Sequence, residues 1–205
     1  MKGAEALERL RAGNKRFVAN VRSAESISNA ARRAELAVAQ QPFAIVLGCS
    51  DSRVPVEIIF DQGLGDLFVI RVAGNIVAPS LIGSVEFAAS QFGTRLVVVL
   101  GHSQCGAILA TLDELRRPTA NQSPNLKSIV DRIRPAVEGL LAGGDQQEPP
   151  GLVSRAVEAN IVASVQQLRH GSAIIEGLVA NQGLVIVGAS YSLDTGVVEF
   201  LEQTL

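Results

Sequence analysis

Apolar residues fall into two kinds of run along the chain. Continuous blocks at 43–48, 67–72, 95–100 and 184–189 are short, aliphatic and largely β-branched, the composition of strands buried on both faces. Between and around them, apolar positions recur at helical spacing over 4–19, 29–39, 80–92, 106–115, 126–141, 152–169 and 172–181. The first of these helices is expected to be interrupted near Gly13 and Asn14. Pro42 closes the second, Pro55 suits the first turn of a short helix, and Gly93-Thr94 stops the helix before the third strand. Residues 196–201 read as a last strand hairpinned onto 184–189. Strand alternating with helix predicts an α/β fold with a parallel sheet flanked by helices. The two N-terminal helices carry few apolar residues, and a neighbouring subunit is their expected support.

Composition narrows the function. The 205 residues, 47% hydrophobic, suffice for one sizeable core, and a single domain over 1–205 is expected. Eighteen basic residues against twenty acidic give a formal charge of −2, leaving no basic surplus for nucleic acid or an anionic membrane. No apolar run approaches the roughly 20 residues that span a bilayer. The charged, helix-periodic start does not have the apolar core of a signal peptide, so a cytoplasmic location is expected. The two cysteines then read as ligands or catalysts more readily than as a disulfide.

Their placement sharpens that reading. Cys49-Ser50-Asp51-Ser52-Arg53 follows the first apolar block, and His102-Ser103-Gln104-Cys105-Gly106 follows the third; in each, a glycine ends the strand and ligand-type residues come next. Open α/β sheets keep their sites at these carboxyl ends. Both cysteines and one of two histidines thus converge on adjacent strand tips, and thiolate with imidazole suits Zn2+. Core packing is the competing reading for a lone buried cysteine, but the company here favours metal. Asp51 and Arg53 are either a solvated ion pair or, beside a ligand, a carboxylate gripped by a guanidinium that fixes its free oxygen. Gly101-His102-Ser103-Gln104-Cys105 imitates a nucleophile elbow but has Cys105 at its last glycine position. The only other histidine, His170, looks like a helix C-terminal cap, so serine catalysis is set aside. No phosphate-binding glycine loop supports a nucleotide cofactor.

With these residues in place, the chain resembles the β-class carbonic anhydrases. The resemblance rests on Cys49-x-Asp51-Ser52-Arg53-Val54-Pro55, on Asp66-x-Phe68-Val69-x-Arg71 with Ala73-Gly74-Asn75, and on Gly101-His102-x-x-Cys105-Gly106. It implies a four-stranded parallel core with an added edge strand, N-terminal helices packing on a partner subunit, and a homodimer or homotetramer. It implies Cys49, His102 and Cys105 as zinc ligands and Asp51 with Arg53 as the catalytic dyad, Asp51 joining the metal only in a closed state. Gln40, Phe68, Ala73, Phe87 and Gly106 match substrate-pocket positions. Some bacterial members hold a regulatory bicarbonate with a Trp three residues before the first cysteine, an Arg and a late Tyr. Here Val46 stands at the Trp position, while Arg71 and Tyr191 match the others.

The implied activity is reversible hydration of carbon dioxide to bicarbonate, zinc-bound hydroxide attacking the gas while Asp51 orients it. Two alternatives have distinct tests. Fold relatives hydrolyse carbon disulfide or carbonyl sulfide, which a panel of gas substrates separates. A structural zinc in an interaction protein would close four protein ligands, whereas three are evident besides Asp51.

Overall fold

A computed structural model describes residues 1–23, 30–118, 123–141 and 151–204. Residues 142–150, between the helical stretches expected at 126–141 and 152–169, and residues 119–122 lie outside the described residues.

Among the described residues, five strands form one sheet in the order β2-β1-β3-β4-β5. They are β1 (Ala44–Gly48), β2 (Leu67–Arg71), β3 (Leu96–His102), β4 (Val185–Tyr191) and β5 (Val198–Leu201). The first four run parallel, and β5 returns antiparallel along β4. This is the expected parallel core with an added edge strand. Every residue of the central strands β1 and β3 is buried, which is why they read as unbroken apolar runs.

The two faces separate by the two-residue period of a strand. Ile45, Leu47, Val97 and Val99 point into one core, shared with Cys49, Cys105 and the helices α4 (Pro79–Gln91), α5 (Gly106–Arg116), α6 (Pro124–Val137), α7 (Leu152–His170) and α8 (Ala173–Gln182). Ala44, Val46, Leu96, Val98 and Leu100 point into the other, covered by α1 (Gly3–Val18) and α3 (Val56–Ile59). Burying each large aliphatic side chain contributes roughly 1.5–3 kcal/mol.

One expectation changes here. Helix α1 runs unbroken through Gly13 and Asn14. Gly13 is a close-approach residue: a Cβ there would lie 1.8 Å from the Phe60 carbonyl oxygen. Asn14 is buried, donating to the carbonyls of Ile59 and Gly196 and accepting from the Val198 N–H, so polarity at this point anchors the helix and does not end it. The N-terminal helices, expected on a partner subunit, divide within this chain: Ala6, Leu7 and Leu10 of α1 pack on the chain's own sheet, whereas the short α2 (Ala30–Leu36) buries no residue. A stripe of only three apolar side chains was enough because small residues let α1 lie close.

Strand β3 also runs two residues past its expected end. Gly101 and His102 pair with Ser190 and Tyr191 of β4, so His102 stands on the sheet and not in a loop. Among the described residues, no helix is long and apolar enough to cross a membrane.

Candidate metal centre

The sheet register brings the two motifs together. Gly48 is level with Leu100 on β3 and with Arg71 on β2, so the chain leaving β1 and the chain leaving β3 emerge side by side. The potential ligand atoms of Cys49, His102 and Cys105 lie within 4.8 Å of one another, and all three residues are buried. Cys105 stands at the N-cap of α5, where the chain leaves β3 and turns into the helix.

The donor set fits a divalent metal. His102 Nδ1 lies 2.8 Å from the Ser103 carbonyl oxygen. A carbonyl only accepts, so Nδ1 carries the hydrogen and Nε2 presents a lone pair. That Nε2 is buried without a hydrogen-bond partner, an expensive condition unless a cation takes the lone pair. The two thiols behave as a pair. A hydrogen bond from Cys105 is the largest influence lowering the Cys49 thiol from 9.0 to about 4; burial opposes it and the Gly74 N–H assists. The same hydrogen bond, then burial, pushes the Cys105 thiol up. One negative charge is therefore shared between two sulfurs, and a divalent cation is what allows both to ionise. Zn2+ suits two sulfurs and one imidazole nitrogen.

Asp51 lies at the mouth, its Oδ2 3.9 Å from His102 Nε2. Both its oxygens are engaged by Arg53: Nε donates to Oδ1 at 2.9 Å, Nη2 to Oδ2 at 2.7 Å, and the Arg53 backbone N–H to Oδ1 at 2.9 Å. The Arg53 side-chain hydrogen bonds are the main reason the Asp51 carboxyl is held well below the usual carboxylate range. The pair is thus a fork on a carboxylate, the sharper of the two readings, in a setting where Asp51 is mostly covered and Arg53 is open to water.

The pocket residues suggested by resemblance separate into two groups. Ala73 precedes Gly74, whose N–H donates to Cys49 Sγ at 3.3 Å, and Gly106 follows Cys105 with open space where a Cβ would stand. Gln40, Phe68 and Phe87 are elsewhere in the chain. Phe68 is level with Ile45, four residues before Cys49, which is roughly 13 Å along a strand. It packs with Phe87 and Phe92 on the β2 edge, and Gln40 lines a cavity of about 700 Å³ with Leu36, Leu64, Gly65 and Phe92.

The structure gives one residue named in the sequence a different role and adds a pair that the sequence reading did not name. Arg71, matched to a bicarbonate site, has its guanidinium on the metal loop: Nε donates to the Cys49 carbonyl at 2.9 Å and an Nη to the Asp51 carbonyl at 2.6 Å. The available signal was a lone arginine ending an apolar strand beside the site. Asn160 and Ser164 of α7 donate to the carbonyls of Gly74 and Asn75, and their signal was two polar residues on an otherwise apolar helical face. Ser103 and His170 take no part in nucleophilic chemistry here. Ser103 Oγ accepts from the Leu193 N–H, and His170 ends α7 in solvent, 3.8 Å from Glu176.

Comparison with known proteins agrees with this geometry. The carbonic anhydrase family profile matches residues 44–198. Carbonic anhydrase 2 of Mycobacterium tuberculosis is 40% identical over 189 residues, covering 91% of this chain and 87% of its own. The solved β-carbonic anhydrase CafA of Aspergillus fumigatus superimposes with a TM-score of 0.73 at 27% identity, over 83% of this chain and 80% of that one. A solved structure from work on two tetrameric β-carbonic anhydrases of Sordaria macrospora gives a TM-score of 0.71 at 25% identity, over 97% of this chain and 95% of that one. Sequence, fold and donor set converge, and the chain belongs to the β class of the carbonic anhydrase family.

Proposed function

We propose that the protein interconverts carbon dioxide and bicarbonate at a zinc ion held by Cys49, His102 and Cys105, with Asp51 and Arg53 as the catalytic dyad. The observation that carries the reading is the unpartnered, buried Nε2 of His102 facing two thiols beside a carboxylate already gripped from behind. When bound, zinc supplies a Lewis acid that acidifies water, less strongly with two thiolates than with three imidazoles, so hydration is expected to favour mildly alkaline pH.

The chain's own residues do the orienting. Arg53 keeps Asp51 ionised and its plane fixed, so a remaining lone pair of that carboxylate can accept a hydrogen bond from a hydroxyl group in the pocket. Arg71 ties down the backbone on both sides of Ser50, which keeps Asp51 at a constant height over the sulfurs. The absent Cβ at Gly106 leaves room beside Cys105 for a small linear substrate.

The same proposal includes at least a homodimer. Strand β2 is a sheet edge with four of its five residues only partly covered or exposed. Phe87 is 52% exposed beside it, Leu64 is 48% exposed, and α2 has no buried face. A second subunit on this edge would cover that surface and would bring Gln40, Phe68 and Phe87 to a substrate pocket that they do not reach within their own chain. The tetrameric enzymes of Sordaria macrospora support the same direction.

Stopped-flow carbon dioxide hydration on metal-quantified protein tests the reading. About one zinc per chain and a rate proportional to zinc content are expected. Full zinc loading without hydration would overturn it.

A further inference from the structure

The turn at 73–75 has an uncommon backbone. Gly74 and Asn75 are both left-handed, with φ of 72° and 43°. A Cβ on Gly74 would come within 2.8 Å of Ile133 and 3.0 Å of Ala107, so the turn fits only as glycine and only in this shape. Two side chains from α7 hold it. Asn160 Nδ2 donates to the Gly74 carbonyl at 2.9 Å, and Ser164 Oγ donates to the Asn75 carbonyl at 3.2 Å. Both are 3% exposed, one helical turn apart, on a face whose other members are Ala156, Val157, Ile161, Val165 and Leu168. On the far side of the same glycine, the Gly74 N–H meets Cys49 Sγ.

We propose that Asn160 is a positioning residue of the metal centre: by fixing the carbonyl side of Gly74, it fixes where the N–H side points and so sets how strongly Cys49 donates to the metal. The inference rests on Cys49 being a zinc ligand. A hydrogen bond to a ligating thiolate withdraws electron density from sulfur, so weakening that bond makes the sulfur more basic and easier to oxidise. A residue that merely satisfied a buried carbonyl would alter stability and leave the sulfur's electronic state unchanged.

Cobalt(II)-substituted enzyme separates the two roles, because its near-ultraviolet sulfur-to-cobalt charge-transfer band reports the thiolate directly. In Asn160→Leu at full cobalt occupancy, the band is expected to move to lower energy, as a more electron-rich sulfur requires. Ser164→Ala acts one peptide further from the sulfur and should give a smaller shift. An unmoved band in Asn160→Leu, with only the melting temperature falling, would overturn the proposal. Should that variant not fold, cadmium-113-substituted wild-type protein decides: scalar coupling between the metal and the Gly74 amide proton is expected, and its absence counts against the proposal. A wild-type cobalt enzyme with no sulfur band at all would overturn the ligand assignment beneath it.

Discussion

The carboxyl ends of β1 and β3 differ sharply from the open edge at β2. At the strand tips almost every group is held from behind: Ser103 holds His102, Gly74 supplies an N–H to Cys49, Arg53 grips Asp51, and Arg71 holds the loop between. At the β2 edge, the rings of Phe68, Phe87 and Phe92 meet in tilted and edge-on contacts with Phe87 half in water, and α2, whose Leu36 meets Gly65 just before β2, has no buried residue. One chain completes the metal chemistry, whereas its apolar edge is left uncovered. The groups at the strand tips are thus held within one chain, whereas under the proposed homodimer the surface that would enclose substrate would come from a second copy.

The largest expected effect breaks the first region. Cys105→Ser replaces a soft ligand at the start of α5, and zinc content should fall to a small fraction, with kcat/KM down at least 100-fold, about 2.7 kcal/mol of transition-state stabilisation. Metal analysis alongside hydration kinetics reads both; retained zinc with retained rate would remove Cys105 from the centre.

Arg53→Ala should come next, because it frees Asp51 without touching a ligand. Hydration is expected to fall about 10- to 100-fold at unchanged zinc content. The same variant has a pH signature. The folded Asp51 carboxyl lies below its unfolded value, so its contribution to stability is full above the ordinary carboxylate range and is lost only as pH falls through the depressed folded value. Without Arg53 the carboxyl should titrate nearer its ordinary range, and carbon-13 NMR of the Asp51 carboxyl should show the rise. No change in either rate or titration would reduce the pair to a surface contact.

How much of this was legible follows the same division. The tips were readable because a sequence-local motif follows each fully buried strand, and buried strands announce themselves as unbroken apolar runs. His102 was placed one step too far out, since pairing of Gly101 and His102 with β4 is a tertiary fact that local composition does not carry. Arg71 pointed toward an anion by resemblance, yet its donors meet two carbonyls that only the register of β1 with β2 brings within reach. The break expected at Gly13 was a propensity argument, and close packing on Phe60 overrode it. At the β2 edge the pocket residues came from resemblance alone, because nothing within one chain tells Phe68 and Phe87 what they face.

The edge itself is tested by Phe87→Glu. The side chain is already 52% exposed, so folding should be little affected, while a charge placed in a subunit interface should favour monomers. Light scattering is expected to show a smaller particle, with zinc retained and hydration reduced. A variant that stays assembled and fully active would move the interface away from β2 and restore Phe87 to an ordinary surface residue.

The smallest expected effect is a null one, and it concerns bicarbonate. An accessory anion site would need free donors near Arg71, but two of its guanidinium nitrogens already donate to the Cys49 and Asp51 carbonyls. Val46, at the position of the indole in relatives with such a site, is fully buried and offers no hydrogen bond, and Tyr191 is 6% exposed in the same core. An effector shifts two states only by its differential affinity for them, and bicarbonate meets too few partners here to prefer one position of Asp51 over another. Hydration rates measured against bicarbonate at fixed pH and ionic strength should therefore follow simple product inhibition, with a Hill coefficient of about 1. A steep sigmoidal loss would mean that Arg71 can leave the loop carbonyls for an anion, and the strand tips would then be less rigid than their hydrogen bonds indicate.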